Sequence, residues 1–199
     1  MCLFIETICY EQGRFQRIGL HNERCNRTRK QFFGIQVPLQ LDSILSVPEE
    51  LKDKTVKCTI TYGADIVHID YNLYQIRPVH SLQMVVDDTI EYSFKYADRT
   101  MINTLFGLRG QSDDILIIKN GLITDTSYAN IIFKKGDKWY SPRNPLIKGT
   151  RLESYLRNNS ISPALLRPKD LPCFSEARLI NAMISIENSP VIPVNNIIA

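Results

Sequence analysis

Three groups of residues in this chain could do chemistry together. Lys95 lies at the end of an alternating segment that begins at Ile90, and a run of helical character follows it at once. Asp125 comes thirty residues later, and Gly149 and Thr150 open a further predicted helix. A lysine amine can form an imine with an aldehyde, a buried carboxylate can keep a pyridine nitrogen protonated, and a helix N-terminus can bind a phosphate.

An aldehyde, a pyridine nitrogen and a phosphate are the reactive parts of pyridoxal 5′-phosphate, so the order of these residues indicates that cofactor. Each residue taken alone has an ordinary explanation. Lys95 could be a surface lysine, Asp125 a turn aspartate that bonds its own backbone, and Thr150 a helix cap. The local sequence by itself leaves both interpretations open.

Composition predicts a folded protein with no membrane span. The chain has 199 residues, of which 44% are hydrophobic, which is enough for one large or two small domains. Its longest apolar runs, such as residues 115–118, are far shorter than the roughly 20 residues that a membrane helix needs. The first residues carry no basic region and reach an acid early, so we expect no signal peptide and a cytoplasmic location.

Cysteine and histidine usage predicts neither a disulfide framework nor a metal site. The five cysteines are an odd, scattered set without a Cys-x-x-Cys pair, which favours reduced thiols. The three histidines form no ligand motif, so we expect no metal ion.

A basic cluster between residues 14 and 30 is the one feature that could indicate a nucleic-acid partner. The cluster lacks aromatic interleaving of the kind used for base stacking, and the net charge of the chain is only +3. We therefore interpret the cluster as a solvated helix face and expect no nucleic-acid partner.

Alternation and turn residues predict two lobes. Residues 2–10 and 14–19 read as a hairpin, 20–33 as a helix that ends before a glycine, and 56–61 with 66–74 as a second hairpin. A short helix start is predicted at Pro48.

Further along, the same patterns predict more elements, namely a strand into Lys95, a helix over 98–108, strands over 115–118 and 122–124 around an Asn-Gly turn, a hairpin of 130–133 with 139–141, helices over 150–158 and 175–183, and a strand over 191–194.

These elements predict a domain order of a small α/β lobe (1–80), an interdomain connection (81–92) and a larger lobe that binds the cofactor (93–199). Strands and helices mix without regular βαβ alternation, so the fold class is mixed α/β, or α+β, rather than a doubly wound sheet.

Seven short motifs, spread over nearly the whole chain, resemble the class IV aminotransferase family, the pyridoxal phosphate enzymes of fold type IV. They are Ile5-Glu-Thr7, His21-Asn-Glu-Arg24, Phe94-Lys95-Tyr-Ala-Asp-Arg99, Leu122-Ile-Thr-Asp125 through Asn130-Ile131, Ser141-Pro142, Lys148-Gly-Thr-Arg151, and Leu179-Ile-Asn-Ala182 up to Pro190-Val-Ile-Pro193. The resemblance implies a two-lobed fold like that of D-amino-acid aminotransferase, and a homodimer. The family's first strands lack counterparts here, so we expect an N-terminally shortened version of that fold.

The resemblance also implies roles for individual residues. Lys95 would be the catalytic residue that carries the cofactor and moves the proton. The remaining cofactor-binding residues would be Arg24, Asp125, Asn130, Gly149, Thr150, Asn181 and Ala182, and the substrate-binding candidates are Thr7, Arg77 and Arg109. Three positions depart from the family pattern, because Asp125 replaces a glutamate, Lys148 replaces a glycine and Gly149 replaces an isoleucine.

The form Lys95-Tyr-Ala-Asp-Arg99 is most similar to the lyase branch of the family, which splits 4-amino-4-deoxychorismate into p-aminobenzoate and pyruvate for folate biosynthesis. An aminotransferase acting on branched-chain or D-amino acids is the first alternative, since both reactions begin with the same steps. A non-catalytic scaffold of the same fold is the second.

Overall fold

The computed structural model describes residues 2–199, and their contacts divide them into two units. The first unit contains the residues up to 75 together with 94–98, and the second contains 76–93 and 99–199. No helix among the described residues has both the length and the apolar character to cross a membrane. Within the same residues, no group of three or more His, Cys, Asp or Glu side chains could hold a metal ion.

The first unit is built on a four-stranded antiparallel sheet with the strand order β2-β1-β3-β4. Its elements are β1 (Phe4–Glu11), β2 (Arg14–Phe15), α1 (Ile18–Phe33), β3 (Val56–Tyr62) and β4 (Ile66–Leu73), with 3-10 turns at Leu41–Ser43 and Glu49–Leu51. Both predicted hairpins of this lobe are confirmed, and so is the helix, which begins two residues before the predicted start.

Alternation along β1 and β3 determines which face of this sheet is buried. Phe4 and Ile8 of β1 pack with Cys58 and Ile60 of β3 in one apolar cluster, while the intervening residues are mostly half-buried. Helix α1 covers this face and contributes Cys25 to the cluster. The helix ends at Gly34, whose positive φ of 68° lets its N–H reach the carbonyl of Lys30.

The second unit holds a larger mixed sheet with a main strand order of β10-β9-β8-β7-β6-β5-β13, and β11 pairs with both β8 and β12. Its elements are β5 (Leu82–Val86), α2 (Thr100–Phe106), β6 (Asp114–Lys119), β7 (Leu122–Thr126), β8 (Asn130–Lys135), β9 (Lys138–Pro142), α3 (Thr150–Arg157), β10 (Ile161–Ala164), β11 (Glu176–Ile180), β12 (Val191–Pro193) and β13 (Ile197–Ile198), with 3-10 turns at Pro168–Cys173 and Val194–Asn196.

Both turns predicted in this unit form hairpins. Asn120 and Gly121 have positive φ values of 52° and 70° and connect β6 to β7, as expected for an Asn-Gly turn. Gly136 connects β8 to β9 with a φ of 57°.

Strand β8 separates two apolar clusters because its side chains alternate between the sheet faces. Ile131 and Phe133 belong to the larger cluster, whereas Ile132 packs with Leu152 of α3 and Ile180 in a smaller one. Helix α3 therefore lies on the Ile132 face of the sheet.

The helix predicted over residues 175–183 is wrong. Glu176–Ile180 is a strand that pairs with β8 and β12. Ala177 and Leu179 are buried on the larger cluster, and Arg178 between them is only partly buried. This period of two fits a strand inserted between two others, and it outweighs the local helical pattern.

The strand predicted over residues 90–95 is also wrong, because side chains satisfy the backbone that a strand would have paired. Asp87 Oδ1 accepts the N–H of Ile90 at 3.1 Å, and Lys119 Nζ donates to the carbonyl of Ile90 at 2.5 Å. The segment predicted as the interdomain connection, 81–92, contains strand β5, which pairs in parallel with β6. The helix predicted over 98–108 is shorter than expected, at Thr100–Phe106.

Candidate functional site

The carboxylate of Asp125 is held at the centre of a buried polar group in the second unit. Its Oδ1 accepts a hydrogen bond from Asn130 Nδ2 at 2.7 Å, and its Oδ2 accepts one from the backbone N–H of Ile147 at 3.0 Å. Asp125 and Asn130 are also register partners in the pairing of β7 with β8. Only a tight loop separates the two residues in the sequence, and the pairing of the two strands brings their side chains into contact.

Burial is the main influence on this carboxyl group. It raises the pKa of Asp125 to about 7, although hydrogen bonds from Ile147, Asn130 and Leu146 act in the opposite direction. The groups that hold the carboxylate are amides and carry no positive charge. A cationic N–H donor at this position would therefore stabilise the ionised form.

The start of helix α3 lies against the same group. The N–H of Gly149 donates to Asn130 Oδ1 at 3.1 Å, and Asn130 Nδ2 donates to the carbonyl of Ile147 at 2.8 Å. Thr150, the first residue of the helix, is buried. Of the two predicted cofactor residues at this helix start, Gly149 thus contacts the side chain that donates to Asp125, and Thr150 follows it in the chain.

Arg151 connects this helix to the turn at residues 181–182. Its Nε donates to the carbonyl of Asn181 at 3.0 Å and its Nη2 to that of Ala182 at 3.1 Å. The side chain of Asn181 accepts the N–H groups of Met183 and Ile184 and so shapes the turn. The structure therefore brings Asp125, Asn130, Gly149 and Thr150 together and ties them to Asn181 and Ala182. All of these residues lie within the second unit.

A cavity of about 280 Å³ lies in the same unit, next to this group. Thr124 and Leu146 line it, and they are the chain neighbours of Asp125 and Ile147. The remaining lining residues come from segment 90–93, from Lys119, Asn120 and Leu122 where β6 turns into β7, and from residues 144–145.

Lys95 belongs to the first unit, where its backbone is fixed in a tight turn. The N–H of Tyr96 donates to the carbonyl of Phe94 at 3.0 Å, which is the three-residue hydrogen bond of a γ-turn centred on Lys95. The carbonyl of Lys95 accepts the N–H of Ile5 at 2.9 Å. Lys95 is half-buried. Its backbone is held by this hydrogen bond to β1, and the residue does not belong to a strand itself.

Aromatic packing anchors both neighbours of Lys95. The ring of Phe94 meets that of Phe32 edge to face, with centroids 4.8 Å apart, and the ring of Tyr96 lies 5.1 Å from that of Phe4. Rings on either side of the lysine restrict the backbone that carries its amine.

Arg24 is buried in an ion pair with Glu6, also in the first unit. Arg24 Nε donates to Glu6 Oε1 at 2.7 Å and Nη2 to Oε2 at 2.6 Å, a bidentate geometry. His21 Nδ1 lies 2.6 Å from the same Oε2. Residues 21 and 24 are one turn apart on α1, which places both side chains over β1.

The charges of this group follow from its burial. Burial alone would raise the pKa of Glu6, but Arg24 and His21 together lower it to about 2. Burial lowers the pKa of His21 in spite of Glu6, and Glu6 outweighs burial to raise the pKa of Arg24. Near neutral pH the group therefore consists of a carboxylate, a guanidinium and a neutral imidazole.

Sequence reasoning named Arg24 but gave no role to Glu6 or His21. The signal that could have found Glu6 is its position in the alternation of β1, where it takes an inward place between Phe4 and Ile8. A carboxylate at a core position requires a partner, and the following helix supplies one.

The three substrate-binding candidates have different surroundings. Thr7 is half-buried on β1 and pairs in register with Thr59. Arg77 forms an ion pair with the buried carboxylate of Asp114, and its guanidinium lies 4.9 Å from the ring centroid of Tyr128.

Arg109 stacks on the ring of Phe106, with 4.2 Å from its guanidinium carbon to the ring centroid. Arg77 lies 5.6 Å from the same ring, so the structure brings the two predicted arginines to one aromatic side chain.

The basic cluster of α1 does not form a continuous charged face. Arg24 is buried, and Arg29 is also inside the unit, where it donates to the carbonyls of Ala64 and Val37. The interpretation of the whole cluster as a solvated helix face is therefore wrong for these two arginines.

Comparison with known proteins gives the family. Residues 91–197 match the model of amino-transferase class IV. An uncharacterized protein of Haemophilus influenzae is 41% identical over 180 residues, which span 89% of this chain and 96% of that protein.

Two solved structures extend the comparison. A protein from Haemophilus somnus that is provisionally assigned as a 4-amino-4-deoxychorismate lyase is 32% identical, with a TM-score of 0.86 over 92% of this chain and 97% of the other. A hypothetical aminotransferase from Mycobacterium tuberculosis, in its PLP-bound form, has the same fold at 12% identity, with a TM-score of 0.75 over 96% of this chain and 80% of the other.

The chain belongs to the class IV aminotransferase family and has its fold type IV architecture. It is a pyridoxal phosphate-dependent enzyme that acts on small molecules, which favours the two catalytic interpretations over the scaffold. The second unit fits the cofactor, because the buried carboxylate of Asp125 has amide donors around it and a protonated pyridine nitrogen would supply the cation.

Proposed function

We propose that this enzyme is a lyase that converts 4-amino-4-deoxychorismate to p-aminobenzoate and pyruvate. The observation that carries the proposal is the form Lys95-Tyr-Ala-Asp-Arg99, which resembles the lyase branch of the family. The 32% identity to the provisionally assigned lyase, over nearly the full length of both chains, supports the same choice.

Arg99 has a contact that gives this form a physical role. Its Nη2 donates to the carbonyl of Ser127 at 2.6 Å, in the loop that joins Asp125 to Asn130. The same loop is held by Asp114, whose carboxylate accepts the hydroxyl of Ser127 at 3.0 Å. We propose that Arg99 fixes the loop from the side of α2, so that Asp125 and Asn130 keep their pairing.

The proposed chemistry assigns one task to each residue. When bound, the cofactor supplies an aldehyde that an amine can capture and a ring that can accept electrons. Lys95 holds the cofactor through its amine and later takes the proton from the amino-bearing carbon of the substrate. Breakage of the C–O bond at the neighbouring ring carbon then releases enolpyruvate, which takes up a proton to become pyruvate, and leaves the aromatic ring of p-aminobenzoate.

The other residues bind and orient. Asp125 would pair with the ring nitrogen of the cofactor, and the amides at Gly149 and Thr150 would hold its phosphate. Arg24, whose Nε and Nη2 are bonded to Glu6, is the arginine that the family resemblance would add to the phosphate. Thr7, Arg77 and Arg109 are the proposed substrate contacts. Arg77 is already paired with Asp114, so Arg109 is the better placed of the two arginines to receive a substrate carboxylate.

The alternative is an aminotransferase that acts on branched-chain or D-amino acids. It uses Lys95 for the same proton but needs a second keto acid to complete the cycle, so the cofactor residues cannot separate the two reactions. The family match is the observation that favours this alternative.

A turnover test separates the two reactions. The purified protein, loaded with pyridoxal phosphate, is incubated with 4-amino-4-deoxychorismate and no acceptor, and separately with L- and D-amino acids plus 2-oxoglutarate. We expect p-aminobenzoate in the first reaction and no keto-acid product in the second. Keto-acid formation without p-aminobenzoate would overturn the lyase proposal. Lys95→Ala serves as the inactive variant, and Lys138→Ala, at the exposed start of β9, serves as the matched control.

We also propose that the enzyme is a homodimer, as the family resemblance implies. Sedimentation at micromolar concentration should give twice the mass of the chain. A single species of 22.9 kDa would count against the dimer.

A further inference from the structure

Asn130 uses its whole side-chain amide within the protein. Both of its N–H groups are donated, one to Asp125 Oδ1 at 2.7 Å and one to the carbonyl of Ile147 at 2.8 Å. Its oxygen accepts the N–H of Gly149 at 3.1 Å. A carboxamide has two hydrogens to donate, so this side chain has none left for a bound molecule.

Gly149 is required by the same contact. A Cβ at this position would lie 2.5 Å from Asn130 Oδ1, a distance that real Cβ atoms essentially never show. The backbone of Gly149, with φ of −66° and ψ of 150°, suits any residue, so conformational freedom is not the reason for glycine. The Asn130 side chain cannot swing away cheaply, because it is buried and makes three hydrogen bonds.

We propose that Asn130 is a positioning residue that couples the two halves of the cofactor site, the carboxylate that meets the ring nitrogen and the amides that meet the phosphate. The inference rests on the roles proposed above for Asp125, Gly149 and Thr150. Asn130 has no N–H left for the ring or the phosphate and acts through its hydrogen bonds to Asp125 and Gly149.

The geometry also accounts for two departures from the family pattern at once. The aspartate at 125 is shorter than a glutamate, yet its oxygen reaches Asn130 directly. The glycine at 149 lets helix α3 begin against the Asn130 oxygen. A side chain at 149 would push the Asn130 amide away and thereby move the donor to Asp125, so the two positions are linked through one carboxamide.

A second anchor shows why Asn130 in particular has this role. Arg151 holds the other side of the α3 start through the carbonyls of Asn181 and Ala182. That contact fixes the helix, but it makes no hydrogen bond to Asp125. Asn130 bonds both the helix start and the carboxylate.

A double-mutant cycle on the cofactor-free protein tests the link. Gly149→Ala should lower the melting temperature by about 4 °C or more in the wild-type background. In the Asn130→Ala background, where the clash is removed, the same change should lower it by less than about a third as much, or raise it. An equal loss in both backgrounds would overturn the proposal. Asn130→Ser provides a second background if Asn130→Ala does not fold.

Two further readouts separate positioning from simple stability. The Asp125 carboxyl can be titrated by ¹³C NMR in the cofactor-free protein, and loss of the Asn130 donor should raise its pKa. The Kd for pyridoxal 5′-phosphate should rise at least about tenfold in folded Asn130→Ala, which corresponds to roughly 1.4 kcal/mol. The control Asn103→Ala, at an exposed position of α2, should change neither quantity.

An unchanged Kd in folded Asn130→Ala would overturn the positioning role. Wild-type protein that binds the cofactor but forms no p-aminobenzoate would overturn the proposed lyase reaction and leave this inference standing.

Discussion

Glu6 and Arg24 form a two-bond ion pair with the carboxylate fully buried, and His21 contacts one of its oxygens. The pair joins strand β1 to helix α1 at the level of the apolar cluster. Removal of either partner is expected to destabilise the fold strongly, because it leaves the other as an uncompensated buried charge. The fold of the first unit and the position of the proposed phosphate-binding arginine therefore depend on the same carboxylate.

Glu6→Ala should destabilise the protein strongly. The guanidinium of Arg24 would remain buried without a counter-charge, at a cost of about 3–5 kcal/mol in the free energy of unfolding. Urea unfolding followed by circular dichroism measures this cost. Glu50→Ala, at an exposed position, is the matched control and should change the free energy by less than about 0.5 kcal/mol. A loss for Glu6→Ala as small as that of the control would show that the pair is dispensable.

The same carboxylate predicts how the protein responds to acid. The pKa of Glu6 is lowered from 4.5 to about 2 in the folded state, so the stabilisation it provides is complete above pH 4.5. It is lost as the pH falls from there towards 2, because the unfolded chain binds the proton first. Thermal melting of wild type and Glu6→Gln between pH 6 and pH 2.5 should therefore converge at the acid end. Parallel curves would contradict the prediction.

Asp125 predicts the opposite pH dependence in the cofactor-free protein. Its folded pKa is raised from 3.8 to about 7, so the folded state keeps the proton longer than the unfolded chain does. The stability that this group contributes is therefore present at low pH and is lost as the pH rises from about 4 to about 7. The loss is on the order of a few kcal/mol.

Asp125→Asn removes that titration while keeping the shape of the side chain. Melting temperatures of the cofactor-free proteins at pH 5 and pH 8 measure the difference. Wild type should lose more stability than Asp125→Asn over this range, and saturation with pyridoxal phosphate should reduce the wild-type loss. Identical losses in the two proteins would argue against a buried, titrating carboxyl group at 125.

Lys95→Ala should abolish the absorbance band that forms when the protein is mixed with pyridoxal phosphate, because no other amine is expected to hold the aldehyde. Lys138→Ala, at an exposed lysine at the start of β9, should keep the band. An unchanged spectrum in Lys95→Ala would remove the central residue of the proposed mechanism. Circular dichroism of both variants checks that the fold is intact.

Local patterns predicted much of the fold, and the errors have physical causes. The Asn120-Gly121 turn and helix α1 follow from turn and cap chemistry that acts over a few residues. Strand β11 was wrongly predicted as a helix, because its conformation depends on pairing with two strands that are distant in the sequence. The segment before Lys95 was wrongly predicted as a strand, because the side chains of Asp87 and Lys119 form hydrogen bonds with its backbone groups.

The sequence by itself determined the kinds of residue at the site and their order along the chain, since an amine, a carboxylate and a helix start can be read from residue type and turn signals. Tertiary structure alone decided which polar groups are buried together. Contacts between elements produce the pairing of Glu6 with Arg24, the hydrogen bond from Asn130 to Asp125 and the need for glycine at 149. A residue's type specifies what bonds it can make, whereas burial and the nearness of a distant partner determine which of them it does make.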